Sequence, residues 1–204
     1  YLVHDFLTRS GISAGLISTV EFRTPHTAVP ATHTTPDPET FYQLLTQCVG
    51  EGAQALAMEL SSHALDQHRV DGVRFRAAVF TNLTGDHLDY HKTFENYFAA
   101  KKRLFFELLA DDGTAVINID DAYGRSLAEE LRGVRKVVTF GTSVDADCRI
   151  SEIQLAASGS GCMIEYRNAR ESLRTILAGE HNLHNIVGAM LGAEALGCGW
   201  NELM

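Results

Sequence analysis

Short apolar runs alternate along the chain with segments in which apolar residues recur at helical spacing. The runs at residues 15–20, 55–60 and 77–81 are nearly continuous, as is typical of strands buried on both faces of a parallel sheet. Their alternation with helical segments predicts an α/β fold, a doubly wound, mostly parallel sheet with helices on both faces. The remaining predicted elements are helix 93–110, strand 114–118, helix 121–132, strand 136–140 and helix 182–197.

Two further stretches depart from that alternation. Residues 21–36 contain three prolines and many threonines, which predicts a loop. The loop ends at Asp37. An N-capping side chain there, followed by a proline and an early acid, predicts the start of a helix. After residue 141 short strands around a Gly-Ser-Gly turn predict a small antiparallel β patch near residues 147–178.

Composition narrows the class of protein. The 204 residues are 45% hydrophobic and 21% charged, which is a globular profile. A net charge of −9 argues against a general nucleic-acid binder, and no apolar run reaches the ~18 residues of a membrane span. The four cysteines are scattered without a C-x-x-C, so free thiols in a reducing cytoplasm are expected. We therefore expect a cytoplasmic protein without nucleic-acid or membrane partners.

Polar side chains cluster where three of the predicted strands end, at residues 59–63, 81–91 and 118–121. Each cluster alone is equally well explained as a helix cap. Together they favour a ligand site, because ligands bind beyond the carboxyl ends of parallel strands. The densest part, residues 86–91, holds two histidines and two acids, which suits magnesium or manganese. The alternative is a polar loop whose histidines face water.

Lys101 lies on an apolar helix face, seven residues after Phe94 and three before Leu104. Such a lysine either snorkels to the edge of the face or is functional. A desolvated lysine has a lowered pKa and a nucleophilic neutral amine.

Asn182 and Asn185 share one face of the last predicted helix. Their carboxamides offer the donor and acceptor that an adenine edge requires. A simple helix cap explains this segment equally well.

The order and spacing of eight such segments resemble the central, ATP-binding domain of the Mur ligases over essentially the whole chain. S-S-H at 61–63, Q-H-R at 67–69 and D-H-L-D-Y-H at 86–91 favour the branch of that family that adds a diamino acid. The matching segments are residues 34–36, 58–63, 67–70, 80–83, 86–91, 97–101, 117–121 and 179–185.

The resemblance implies a reaction. ATP phosphorylates the free carboxylate of UDP-MurNAc-L-Ala-D-Glu, and the amine of meso-diaminopimelate or L-lysine attacks the acyl phosphate to give an amide, ADP and phosphate. This step belongs to peptidoglycan precursor synthesis, and so to cell-wall biogenesis, cell shape and division. The alternatives are a sister Mur ligase, a folylpolyglutamate synthase, or a truncated binding module without catalysis.

The resemblance also assigns roles residue by residue. Lys101 resembles a lysine carbamylated by carbon dioxide, and with Glu59 and His87 it makes up the catalytic group that holds Mg²⁺. Substrate-binding residues are implied at Thr34, Thr35, Ser61, Gln67 and Arg69. Residues on the side of the adenine of ATP are implied at Asn118, His181, Asn182 and Asn185.

The chain departs from the family at its ends. The family's phosphate loop, G-T-N-G-K-T, precedes the helix with which this sequence begins, and the N-terminal UDP-binding and C-terminal amino-acid-binding domains have no counterpart in it. We therefore expect residues 1–204 to be a central domain truncated just after the phosphate loop. We expect this fragment to be inactive alone and the full-length enzyme to be monomeric.

Overall fold

A computed structural model describes residues 1–85 and 87–204. Asp86, part of the dense polar segment of the sequence, lies outside the described residues. The chain forms two compact units, the first from Tyr1–Arg74 and His87–Leu108 and the second from Phe75–Asp86 and Leu109–Met204.

The first unit contains a small mixed sheet with short helices. Its strands are β1 (Ala14–Ile17), β2 (Glu21–Arg23), β3 (Ala28–Pro30) and β4 (Ala55–Met58), in the spatial order β3-β2-β1-β4. Its helices are α1 (Leu2–Arg9), α2 (Pro38–Gly50), α3 (Ser62–Asp66), α4 (Leu88–His91) and α5 (Phe94–Arg103), the last followed by a π-helix at Leu104–Leu108.

Strand β1 is the centre of this unit. All four of its residues are buried, and it pairs in parallel with β4 and antiparallel with β2. Gly15 permits this packing, because a Cβ there would lie 2.6 Å from the Cys48 Sγ and 2.9 Å from the Leu56 Cδ1. Helix α2 starts where the sequence predicts, since the Asp37 side chain accepts a hydrogen bond from the Thr40 N–H.

The second unit is built on a six-stranded sheet in the order β10-β9-β8-β7-β6-β5. The pairs β5–β6, β6–β7 and β7–β8 are parallel, and the pairs β8–β9 and β9–β10 are antiparallel. The bounds are β5 Phe75–Phe80, β6 Leu109–Asn118, β7 Lys136–Gly141, β8 Cys148–Ala156, β9 Gly159–Tyr166, β10 Ala169–Thr175, α6 Ala122–Leu131, α7 Glu180–Glu194 and α8 Trp200–Leu203.

Helix α7 supplies most of the helical core of this unit. It packs on β5, β6 and β7, and its apolar residues from Leu183 to Ala193 are buried. Strand β10 ends the sheet and carries exposed Arg170 and Arg174. Arg170 forms ion pairs with Glu152 and Glu165 across the antiparallel part.

The α/β class and the antiparallel patch are confirmed, with three differences from the sequence prediction. The parallel strands are divided between two sheets, and the antiparallel patch continues the larger one. Residues 21–36 contain the hairpin β2–β3 rather than loop alone. The helix predicted to reach residue 110 ends at Arg103, and the chain passes through the π-helix into β6 at Leu109.

Candidate functional site

Glu59 presents a carboxylate at the end of β4. Its backbone N–H donates to the Ile17 carbonyl at 2.9 Å, which keeps the residue beside β1. Its Oε2 accepts hydrogen bonds from the Thr19 hydroxyl at 2.9 Å and the Thr19 N–H at 3.4 Å. Its Oε1 accepts none from the described residues, and the side chain is exposed. One anionic oxygen is therefore fixed in direction and open to a ligand.

Lys101 lies half-buried on α5 with its Nζ 5.4 Å from the centroid of the Tyr97 ring. Burial lowers the pKa of the Lys101 ammonium, and the negative charge of Glu59 opposes that shift only in part. The lysine is thus neither a solvated surface cation nor a fully neutralised ion-pair partner. Its amine becomes available in the neutral form at a lower pH than that of an ordinary lysine.

His87 completes this group from a left-handed backbone. It precedes α4 with φ 60° and ψ 19°, a region that non-glycine residues rarely occupy. Its ring centroid lies 5.9 Å from that of Tyr97 and 4.9 Å from that of His63. The side chain of Tyr97 therefore contacts both His87 and Lys101, and the negative charge of Glu59 raises the pKa of Lys101.

The side chains of Glu59, His87 and Lys101 fit a hard divalent cation only if Lys101 carries a carbamate. Among the described residues, no group of three or more His, Cys, Asp and Glu side chains is arranged to hold a metal ion. Glu59 and His87 offer one carboxylate and one imidazole, and an unmodified Lys101 would add a positive charge. A carbamate on Lys101 would add anionic oxygen instead, which is the ligand that magnesium prefers.

A cluster of rings lies behind His87. The ring of His63 is 4.2 Å from that of Tyr90 and 5.5 Å from that of His91. His91 is buried, is joined by its Nε2 to the Ser62 hydroxyl at 2.9 Å, and stacks on Tyr97. Burial lowers the pKa of His91, the charge of Lys101 acts in the same direction, and the charge of Asp66 opposes it only in part. The sequence motifs contain these residues, but only the structure shows that they support His87.

The predicted substrate residues Thr34, Thr35 and Ser61 come together at the same strand end. The Thr35 hydroxyl is buried, donates to the Glu59 carbonyl at 2.9 Å and accepts from the Ser61 N–H at 3.0 Å. The Ser61 hydroxyl caps α3 through the Ala64 N–H. The Thr34 hydroxyl lies 3.2 Å from the Thr19 hydroxyl, whose proton goes to Glu59. Thr35 and Ser61 thus shape the loop that carries Glu59.

Gln67 and Arg69 join the same network. The Arg69 guanidinium donates from Nη1 to the Thr35 carbonyl at 3.0 Å, and from Nε and Nη2 to the Gln67 Oε1 at 2.9 and 2.6 Å. The Gln67 amide donates to the Tyr90 hydroxyl, which donates in turn to Asp66. The five predicted substrate residues therefore form a connected surface, held at its far side by Tyr90.

The predicted adenine residues lie in the second unit and fall into two sets. Asn118 is buried at the end of β6 with both ends of its carboxamide engaged. Its Nδ2 donates to the Thr81 carbonyl at 2.8 Å, and its Oδ1 accepts from the Asp120 N–H at 3.0 Å. Asn118 therefore shapes two strand ends.

His181, Asn182 and Asn185 lie together in the first turns of α7. The Asn182 Nδ2 donates to the Ala178 carbonyl at 2.8 Å, which leaves its Oδ1 unbonded among the described residues. The Asn185 carboxamide makes no hydrogen bond within the described part of the chain and is half-buried. His181 is exposed, with its ring against Gly179. Asn185 thus offers the donor and acceptor pair that recognition of a purine edge requires.

The sequence placed Asp120 in the polar cluster at residues 118–121 but gave it no role of its own. Its Oδ2 accepts from the Thr142 N–H at 2.6 Å, the Thr142 hydroxyl at 3.0 Å and the His184 Nε2 at 3.0 Å, and its Oδ1 accepts from the Ser143 N–H at 3.2 Å. Burial would raise the pKa of this carboxyl group, but these hydrogen bonds outweigh it and lower the pKa. The signal in the sequence was its position directly after a strand.

Comparison with known proteins identifies the family. The family model described as Mur ligase middle domain matches residues 1–193. This chain is a member of the Mur ligase middle-domain family. The chain is 42% identical over 202 residues to the UDP-N-acetylmuramoyl-L-alanyl-D-glutamate--2,6-diaminopimelate ligase of Geobacter sulfurreducens, covering 97% of this chain and 39% of the relative. The Synechococcus elongatus protein of the same name is 41% identical, with the same coverage.

Solved structures agree with this family. A structure of UDP-N-acetylmuramoyl-L-alanyl-D-glutamate--2,6-diaminopimelate ligase matches with a TM-score of 0.86 and 28% identity, covering 99% of this chain and 41% of that one. MurF from Acinetobacter baumannii, at 16% identity, and a complex of FPGS with AMPPCP, at 12%, share the fold with TM-scores of 0.74 and 0.73. The chain spans about two fifths of the length of the curated relatives it matches.

The family model confirms the Mur ligase resemblance. The two relatives named above are 2,6-diaminopimelate ligases, the branch of the family that the sequence motifs favoured. The residues of each predicted group lie within one unit of this Mur ligase middle domain. Glu59, His87 and Lys101 belong to the first unit, and Asn118 and Asn185 to the second. No helix in the described residues is long and apolar enough to cross a membrane.

Proposed function

We propose that this chain is the middle domain of a MurE-type ligase. The complete enzyme joins the amine of a diamino acid to the free carboxylate of UDP-MurNAc-L-Ala-D-Glu with hydrolysis of ATP, in the cytoplasm and as a monomer. Support comes from relatives at 36–42% identity whose names specify 2,6-diaminopimelate as the added amino acid. L-Lysine is the alternative diamino acid.

The observation that carries the proposal is the environment of Lys101. Burial lowers the pKa of Lys101, and the negative charge of Glu59 offsets only part of that shift. In its neutral form the Nζ attacks the carbon of carbon dioxide. A C–N bond forms, the electron pair of one C=O π bond moves onto oxygen, and the nitrogen loses a proton to solvent. The product is a carbamate, so one cation becomes one anion beside the open Oε1 of Glu59 and the ring of His87.

Lys101, Glu59 and His87 would hold magnesium, which neutralises phosphate charge during acyl transfer when it is bound. Tyr97 fixes the lysine and the histidine against one ring, and Thr19 fixes the carboxylate. These contacts set the ligand directions before any substrate arrives, which is the role of a preorganised site.

The network from Thr34 to Arg69 would bind the anionic substrate. A guanidinium matches carboxylate and phosphate geometry through parallel N–H donors. Arg69 already uses three of its nitrogens on the Thr35 carbonyl and Gln67, which orients its plane. In the second unit, the carboxamides of Asn185 and Asn182 would read the adenine edge, with His181 beside them.

The test is a ligation assay on the complete protein that carries this chain. ADP release is followed with UDP-MurNAc-L-Ala-D-Glu and either meso-diaminopimelate or L-lysine. Lys101→Ala should lower turnover by at least about 100-fold, in the range of one lost transition-state interaction of this kind. Lys102→Ala is the matched control, because Lys102 is the next residue of the same helix and its Nζ lies over the Phe98 ring.

Three outcomes would contradict the proposal. They are wild-type turnover without either diamino acid, equal losses from Lys101→Ala and Lys102→Ala, and no loss from either substitution. Carbon-13 NMR with labelled bicarbonate provides a readout besides activity, since the wild-type protein should show a carbamate signal that Lys101→Ala lacks.

A further inference from the structure

The start of helix α7 is held in place from two sides. The helix has no side-chain cap at Gly179, so its first turn depends on contacts with neighbouring strands. The Gly179 N–H donates to the Ser160 hydroxyl of β9 at 2.9 Å. One turn later, the His184 Nε2 donates to the Asp120 Oδ2 at 3.0 Å. Together these contacts fix both the height and the rotation of the first turns.

Asp120 is a rigid anchor for this contact. Three further donors, from Thr142 and Ser143, hold its carboxylate. Gly141 leaves the room that the carboxylate needs, because a Cβ there would lie 2.7 Å from the Asp120 Oδ1. The anchor therefore joins the end of β6 to the chain that follows β7.

The ring of His184 connects Asp120 to the start of helix α7. Its Nδ1 faces the Glu180 carbonyl at 3.1 Å and its Nε2 faces Asp120. His184 thus links the first residue of α7 to the anchor and lies directly before Asn185.

We propose that Asp120 and His184 are positioning residues for the nucleotide, which orient the first turns of α7 so that the Asn185 and Asn182 carboxamides meet the adenine edge. This inference rests on the proposed function, because it takes a nucleotide as the ligand of those carboxamides. Neither Asp120 nor His184 needs to touch the nucleotide. Their effect is to reduce the reorganisation that binding would otherwise require.

The opposite end of α7 supplies a matched control. The Tyr166 hydroxyl donates to Glu194, the last residue of the helix, at 2.9 Å, and Arg167 pairs with the same carboxylate. Tyr166→Phe therefore removes one contact between α7 and the sheet without changing the first turns. A contact that served stability alone would behave in the same way at either end of the helix.

The experiment measures ADP affinity and thermal stability of the complete protein for four variants. His184→Leu removes the donor, His184→Gln restores a donor near the position of Nε2, Asp120→Asn removes the charge of the anchor, and Tyr166→Phe is the control. We expect His184→Leu and Asp120→Asn to weaken ADP binding about tenfold. His184→Gln should recover most of that loss, and Tyr166→Phe should bind as the wild type does while melting at a lower temperature. In steady state, His184→Leu should raise the KM for ATP more than it lowers kcat.

Each other outcome is decisive. If the variants at 184 and 120 bind ADP as the wild type does, or if Tyr166→Phe weakens binding equally, the positioning role is refuted while the ligase assignment stands. If His184→Leu does not fold, the test rests on the other two variants. His184→Gln keeps a donor and Asp120→Asn loses the charge of the anchor, so equal affinity of both for ADP refutes the role. If the wild-type protein binds no ADP, the proposed function itself fails and this inference fails with it.

Discussion

The Asp121 side chain joins two segments of the second unit, and its removal should cost more than an ordinary helix cap. Its Oδ1 accepts from the Gly124 N–H at 2.9 Å and caps α6, and its Oδ2 accepts from the Leu83 N–H at 3.1 Å. Losing a cap costs about 1 kcal/mol. Leaving a partly buried N–H without its acceptor costs about 1–3 kcal/mol more.

Two substitutions separate these contributions. Asp121→Asn keeps one acceptor oxygen, and asparagine caps a helix about as well as aspartate, so we expect a loss of about 1–3 kcal/mol from the Leu83 contact. Asp121→Ala loses both contacts, and we expect about 2–4 kcal/mol. Thr93→Ala is the control, because Thr93 caps α5 through the Asn96 N–H and should cost about 1 kcal/mol.

The assay is urea unfolding of the complete protein, with amide hydrogen exchange at Leu83 as a local readout. Exchange at Leu83 should accelerate in both Asp121 variants and stay unchanged in Thr93→Ala. If Asp121→Asn is as stable as the wild type and Leu83 exchanges no faster, the Leu83 contact contributes nothing and the reasoning is refuted.

Two other predictions concern the backbone and the pH response. Gly124→Ala should cost more than about 3 kcal/mol in urea unfolding, because a Cβ there would lie 2.0 Å from the Asn118 carbonyl oxygen. Gly50→Ala, which meets nothing within 4 Å at the end of α2, should be neutral or stabilising, and equal costs would contradict the geometry. Burial lowers the pKa of both His4 and His91, so the unfolded chain binds protons first as the pH falls below about 6.5. Below that pH the free energy of unfolding should decline by up to about 1.4 kcal/mol per pH unit for each histidine. Thermal melting of His4→Gln over the same pH range should show a shallower decline than the wild type. An unchanged slope would contradict a neutral, buried His4.

The sequence predicted the elements that are long or have marked ends. Asp37 and Pro38 marked the start of α2, and the apolar runs located β4 to β7 to within a few residues. The hairpin β2–β3 was missed because strands of three residues are too short to show a period of two. The π-helix was missed because Leu104 and Leu108 continue the apolar pattern of α5, and that pattern carries no sign of a change in winding.

The candidate site was predictable where the chemistry sits at a strand end. Glu59 follows an apolar strand, and Lys101 interrupts an apolar helix face, so both were visible in the sequence. The engagement of Asn118 with Thr81 could not be predicted, because it depends on how two strand ends meet in space. The roles of Thr19 and Tyr97 as supports for Glu59, His87 and Lys101 are likewise a product of tertiary contacts.

The arginines of β10 have a consequence for how the protein behaves at high concentration. The last strand of a sheet offers free backbone donors and acceptors that can template the addition of another chain. Exposed Arg170 and Arg174 lie on one face of this strand, so a second copy pairing antiparallel would bring guanidinium groups close to one another. This charge repulsion disfavours fibril-like growth from β10, and the ion pairs of Arg170 with Glu152 and Glu165 hold one of the two charges in place within the fold.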